Sequence, residues 1–202
     1  EWADLHSYES MANDLIETMD FLSLSQFHVI GHSMGGKVAM HLAQSYPERL
    51  LKTVVVDMGV KAYPMHHQDL IEAIKAVPID TITARSQVNT FLSNRIPEEG
   101  VRQFLLKNLY WIERGKLAWR MNIAVLEANM PLILDALPET EVLGPTLFIK
   151  GANSSYILEE DFEAIENIFL DSEIQSITDA GHWVHADSFE EFLESVLAFL
   201  LR

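Results

Sequence analysis

The stretch FHVIGHSMGGKVAM, residues 27–40, decides the fold. Its first four residues, Phe27-His-Val-Ile30, are a short apolar run before a glycine and suit a buried strand. From Gly35 to Ser45 small and apolar residues recur at helical spacing, until Tyr46-Pro47 stops them. Between the two lies Gly31-His32-Ser33-Met34-Gly35. A strand that turns at once into a helix bends so sharply that the corner residue is held in a strained backbone conformation, and small neighbours keep the turn free of clashes. The Ser33 hydroxyl then projects above the sheet, and Met34 N–H points to where an oxyanion would form. Gly36 adds a further small residue. His32 adjoins the serine, but neighbouring side chains at a strand end diverge, so it reads as a structural residue and not as the base.

Outward from this turn, both ends of the chain alternate strand and helix. Residues 7–24 read as a helix that Ser7 can cap. Leu51 to Val56 (LKTVVV) is nearly continuous and β-branched, as in a parallel strand buried on both faces. Residues 145–150 repeat that pattern, 157–170 follow as a helix and 173–178 as a last strand. Residues 188–201 close the chain as a helix, with Ser188 and Glu191 spaced as a capping box. This alternation is the signature of a parallel α/β sheet. The middle differs. It reads as helices over 68–77, 82–92, 98–109 (with Pro97 at the first turn) and 122–129 (with Pro131 just beyond), plus a hairpin over 111–119 turning at Arg114-Gly115. The expected organisation is therefore core parts 1–62 and 139–202 with a mainly helical insertion, 63–138, between them.

A serine hydroxyl needs a base, and the base needs an acid to fix its tautomer. Of eight histidines, His6, His28, His41, His66 and His67 fit structural or solvated places. His182 lies in Asp179-Ala-Gly-His-Trp183, a small-residue loop after the last strand, where the preceding glycine lets the ring reach across the top of the sheet. His185, three residues on, is the weaker choice. The expected chain order is serine, acid, histidine. Asp57 directly follows the strand 51–56, and a carboxylate ending a buried apolar strand is costly unless paired. That favours Asp57 over Glu159, Asp161 and Asp179. The loop Gly151-Ala-Asn-Ser-Ser-Tyr156 holds no carboxylate at all.

Composition narrows the classes. The 202 residues suffice for one domain with a substantial core, and no apolar run reaches membrane-spanning length. The absence of cysteine rules out a thiolate nucleophile, a disulfide or a cysteine metal site. A net charge of −16 argues against nucleic acid and against a strongly anionic membrane surface as partners. The chain begins at Glu1 without an initiator Met.

GHSMGG, DAGHW and the strand-rich ends resemble the α/β-hydrolase superfamily. GHSMGGKVAM, VVVDMG, LGPTLFIKGANSSYI and AGHWVHAD, with GVRQFLLKNL and WRMNI in the insertion, resemble the branch that holds α/β-hydrolase domain-containing protein 11 and the bacterial YbfF-type esterases. The likeness runs along nearly the whole chain. It implies an α/β-hydrolase fold of which this chain holds the C-terminal half of the parallel sheet and a helical cap insertion, the N-terminal strands being absent. It implies Ser33, Asp57 and His182 as the triad, Met34 as oxyanion donor, and neither metal nor organic cofactor. The common superfamily place for the acid holds Asn153 and Ser154 here, which leaves Asp57. The implied substrate is a small acyl ester, often short-chain, and the implied compartment is intracellular: mitochondrial for eukaryotic members, cytoplasmic for bacterial ones. Trp183 beside the base, and Trp111 in the insertion with Trp119, Phe104 and Leu105, are the candidate substrate contacts.

Two other readings stay open. The same triad serves acyl transfer to an alcohol, as in fungal relatives of the family, or thioester cleavage. A non-catalytic ligand-binding protein is the other, because no His-Gly loop supplying a second oxyanion donor precedes Ser33 in this chain. The expectation is a part of a longer enzyme, with the strand 27–30 left as an apolar sheet edge. Haloalkane dehalogenation is excluded by the serine standing where that chemistry needs an aspartate.

Overall fold

The computed structural model describes residues 5–64 and 68–202. His66 and His67 lie outside the described residues. In chain order the elements are α1 (Tyr8–Phe21), β1 (Phe27–His32), α2 (Met34–Ser45), β2 (Leu50–Val56), α3 (Gln68–Lys75), α4 (Arg85–Ser93), α5 (Glu99–Leu106), β3 (Leu109–Glu113), β4 (Lys116–Trp119), α6 (Ile123–Leu134), β5 (Thr146–Gly151), α7 (Phe162–Ile168), β6 (Ser172–Ile177), α8 (Val184–Asp187) and α9 (Phe189–Leu200). Of the described residues, Ser7–Tyr63 with Leu132–Arg202 form one compact unit, and Pro64–Pro131 fall in another.

The first unit is a four-stranded parallel sheet in the order β1-β2-β5-β6. Its central strands are apolar at most buried positions, Thr53 and Thr146 excepted, because both faces are covered. Val55 and Phe148 point to the side where Met40 and Ala43 of α2 meet Ile165 and Ile168 of α7. Val54, Val56, Leu147 and Ile149 point to the side filled by Val196 and Phe199 of α9. α1 packs Tyr8, Ala12 and Ile16 against Val38 and Leu42 of α2. The register places His32 beside Val56, and Val56 beside Ile149. Ser33, Asp57 and the end of β5 therefore leave the sheet along one edge, which is where parallel α/β sheets gather their functional loops.

Local differences from the sequence reading have local causes. Ser7 caps α1 as expected, its hydroxyl accepting from Ser10 N–H at 3.2 Å. The capping box at Ser188 does not form. Ser188 Oγ donates instead to the Thr178 carbonyl at 2.8 Å, and Glu191 accepts from Thr178 N–H at 3.2 Å, so both side chains secure the end of β6. The helix expected over 157–170 begins as a 3₁₀ turn and becomes α-helical only at Phe162.

The second unit packs its own core from Ala73, Ile74, Val88, Leu92, Leu105 and Leu109, with Leu117 and Trp119 among the others. The hairpin turns where expected, with Gly115 at φ 80°. α4 starts at Arg85, later than the apolar pattern suggests. Pro97 precedes α5 instead of opening it, Glu98 being the cap residue, and Arg102 donates to the Ile96 and Pro97 carbonyls at 2.7 and 2.6 Å. α6 continues through Pro131 to Leu134. A proline there removes one backbone donor, a loss that is small with a single turn of helix left to run.

Candidate active site

Ser33 sits at the corner between β1 and α2 with φ 54° and ψ −122°, a conformation that L-residues rarely adopt. Its N–H donates to the Val56 carbonyl at 3.0 Å, which fastens the corner to the neighbouring strand. The glycines share the steric load unequally. A Cβ on Gly31 would lie 2.0 Å from the Gly35 carbonyl oxygen, and one on Gly36 would lie 3.0 Å from Met58 Cβ, whereas a Cβ on Gly35 meets open space. The small residues that the turn requires are thus Gly31 and Gly36, while Gly35 is not crowded.

Asp57 follows β2 directly, also at positive φ (49°) and fully buried. Its carboxylate accepts from three donors. Gly151 N–H binds Oδ1 at 3.0 Å, while Ser154 Oγ and His182 Nδ1 (2.8 Å) both bind Oδ2. This satisfies the burial cost that made Asp57 conspicuous in the sequence. A carboxylate accepts only, so the imidazole carries its proton on Nδ1 and turns the lone pair of Nε2 to Ser33 Oγ, 3.0 Å away. Ser33, His182 and Asp57 form one continuous line of hydrogen bonds.

The loop that carries His182 is held from three sides. His32 Nε2–H donates to the His182 carbonyl at 2.8 Å, giving the structural role expected of His32 a specific object. Burial is the main influence on the His32 pKa and lowers it. The Tyr156 ring stacks on the His182 ring at 4.0 Å and 18°. Burial raises the Tyr156 phenol pKa. Gly181 lies so close to the end of β5 that a Cβ on Gly151 would fall 2.1 Å from its carbonyl oxygen, so the two loops meet backbone to backbone.

The remaining candidates fall elsewhere. His185 meets the His32 ring edge-on at 4.8 Å. Asp161 pairs with Lys61 at 2.5 Å and accepts from Leu158 N–H, Glu159 stands in the 3₁₀ turn, and Asp179 is exposed at a positive-φ turn. Met34 opens α2 directly after Ser33, so its N–H has no partner within the helix. The Trp183 ring lies 5.3 Å from His32 and 5.8 Å from His182. Trp111 and Phe104 are half-exposed in the other unit, where Trp119 and Leu105 are buried in its core. Among the described residues no group of three or more His, Asp or Glu side chains converges as a metal site. Nor is any helix among them long and apolar enough to cross a membrane. Sequence reasoning missed Ser154 and Tyr156; their only signal was the carboxylate-free loop after β5, directly opposite Asp57.

Comparison with known proteins places the fold in a family. The model of the alpha/beta hydrolase family matches residues 1–195. The mouse protein sn-1-specific diacylglycerol lipase ABHD11 is 38% identical over 201 residues, covering 96% of this chain and 65% of its own length. Esterase YbfF of Escherichia coli is 34% identical over 197 residues, covering 96% of this chain and 75% of its own. A solved structure described as a marine microorganism esterase superposes with a TM-score of 0.93 at 36% identity, covering 98% of this chain and 78% of that one. The chain thus spans about two thirds of the length of the mouse relative, 65%.

Proposed function

The chain belongs to the alpha/beta hydrolase family, and on that premise we propose that it is the triad-bearing part of an enzyme that cleaves carboxylic esters through an acyl-enzyme. The observation that carries the reading is the unbroken line from Ser33 Oγ to His182 Nε2 (3.0 Å) and from His182 Nδ1 to Asp57 (2.8 Å). His182 takes the hydroxyl proton as Ser33 Oγ attacks the ester carbonyl. Asp57 holds the ring in the one tautomer able to do so and stabilises the imidazolium that forms. The oxygen of the tetrahedral intermediate becomes an anion, and Met34 N–H, the first of α2, is the candidate donor for it. One such donor is worth on the order of 100- to 1,000-fold in rate. The imidazolium then protonates the departing alcohol, and the acyl group stays on Ser33. In the second half His182 removes a proton from water, which attacks the acyl-enzyme and releases the acid. The names of both relatives, a lipase and an esterase, support water as the acceptor and acyl esters, glycerides included, as the substrate class. Trp183, against the base, is the candidate contact for the substrate on this unit.

The test is Ser33→Ala in the full-length protein, assayed with a short-chain nitrophenyl ester and with a fluorophosphonate that labels activated serines. Turnover falls by at least about 10⁴-fold, labelling disappears, and the circular dichroism spectrum is unchanged. Labelling that survives the substitution would remove Ser33 from the mechanism.

A further inference from the structure

Lys37 is a lysine with almost no access to water, 1% exposed, on the helix that begins at the nucleophile. It lies one turn after Ser33, inside α2. A buried ammonium is costly unless its protons are bonded, and here all three are used. Lys37 Nζ donates to the carbonyls of Val60 at 3.1 Å, Lys61 at 2.9 Å and Asp135 at 3.0 Å. Two of these acceptors lie three and four residues beyond Asp57, in the segment that leaves β2. The third follows α6. The tie therefore runs from the elbow helix to the stretch that presents the acid. We propose that Lys37 is a positioning residue of the triad: its ammonium pins the segment carrying Asp57 to the helix carrying Ser33, and so sets the reach of His182 between them. The proposal rests on the esterase reading above.

The surroundings show why the link depends on a charge. The partners of the ammonium are backbone dipoles, not carboxylates. The Asp135 carboxylate is an electrostatic neighbour that favours the charged amine, while Asp135 Oδ1 itself bonds Ala136 N–H. Along α2, burial foremost and Lys37 after it lower the His41 pKa. The Tyr63 ring lies 5.8 Å from Nζ, and the Lys61 amine is turned to Asp161. Burial outweighs the help from Asp135 and draws the Lys37 pKa down to about 8. Below that pH three charge-assisted bonds hold the segment. Above it the amine keeps two protons for three carbonyls, and the bonds lose their charge.

The experiment measures kcat and KM from pH 6 to 10 in the full-length protein, its Lys37→Met variant and its Lys37→Arg variant. In Lys37→Met, kcat at pH 7 falls by about 10- to 100-fold, the cost of a small misplacement in a triad. KM stays within about twofold, because no substrate touches this residue, and kcat is level from pH 7.5 to 9.5. The unsubstituted protein loses kcat over that same interval, and Lys37→Arg, charged throughout, does not. A purely structural lysine would lower the melting temperature and leave the shape of the pH profile alone. If Lys37→Met fails to fold, the other two proteins still decide. An alkaline decline abolished by arginine supports the link, and a decline present in both proteins, or in neither, overturns it. Fluorophosphonate labelling separates the premises. An unlabelled Ser33 in the unsubstituted protein defeats the esterase reading, whereas full labelling with equal kcat in Lys37→Met defeats only the role of Lys37.

Discussion

β2 and β5 run side by side through the centre of the sheet, and their exits are built from opposite chemistry. β2 ends in a buried carboxylate, Asp57, and β5 ends in donors, Gly151 N–H and the Ser154 hydroxyl, which bind that carboxylate. Each exit is incomplete alone. A buried carboxylate with only His182 for company would keep lone pairs unsatisfied, and a serine at the β5 exit has no charge with which to orient an imidazole. The proposed acid of this site is a pair of strand ends, one supplying the charge and the other the bonds that make the charge tolerable.

The sharpest way to break that division is to remove the charge. Asp57→Asn leaves the shape in place but presents an amide to His182 Nδ1 and favours the wrong tautomer, so kcat falls by about 10⁴-fold. Ser154 Oγ and His182 Nδ1 bind the same carboxylate oxygen, so a carboxylate at position 154 begins within reach of the ring. Asp57→Asn combined with Ser154→Asp therefore recovers at least about tenfold of the lost kcat, a change of about 1.4 kcal/mol in barrier. No recovery would mean that the two exits are not interchangeable in charge, and that the backbone of Asp57, held at φ 49°, matters as much as its carboxylate.

Removing a donor instead of the charge has a smaller effect. Ser154→Ala deletes one hydrogen bond to an ion, worth about 1.5–3 kcal/mol. Gly151 N–H and His182 still hold Asp57, so kcat drops by about tenfold, with little change in KM. Steady-state kinetics check this, and a loss as large as that of Asp57→Asn would promote Ser154 from a supporting donor to an equal of the acid.

The two exits were not equally legible. Asp57 could be read from sequence because a carboxylate closing a run such as VVV is a conflict that demands a partner, and conflicts of that kind are visible in one dimension. Ser33 and His182 were legible from their glycines, Ser33 in a Gly-x-Ser-x-Gly turn after an apolar strand and His182 directly after Gly181 in the small-residue loop that follows the last strand. The sheet itself followed from LKTVVV and PTLFIK, whose continuous apolar runs fit only strands covered on both faces. Ser154 produced no conflict, since a serine in a loop bonds to whatever lies near. Lys37 was hidden differently: a lysine in a helix reads as solvent-facing, and only the packing of residues 60, 61 and 135 around it reverses that. Ser188 shows the converse error. Its spacing to Glu191 fits a cap, but both side chains were claimed by the end of β6, an element the local pattern does not contain.

The smallest effect concerns the bridge between the two exits. Tyr63 Oη accepts from Gly59 N–H on the β2 side and donates to the Tyr156 carbonyl on the β5 side, both at 2.8 Å. Tyr63→Phe cuts that bridge without adding bulk and leaves two backbone groups short of a partner, at a cost of about 1–3 kcal/mol. For a chain of this size the melting temperature drops by a few degrees. Turnover changes less, by about threefold or under, because Asp57 keeps all three of its own donors and the Tyr156 ring still rests on His182. Burial pushes the Tyr63 phenol pKa well up, so the hydroxyl stays protonated and the loss is the same at pH 6 and pH 9. That flatness distinguishes it from Lys37, whose contribution fades as the amine loses its proton near pH 8. Thermal unfolding and kcat measured together at both pH values decide the matter. A Tyr63→Phe protein that loses activity as steeply as Ser154→Ala while keeping its melting temperature would show that the exits are aligned through the bridge, and not through the carboxylate they share.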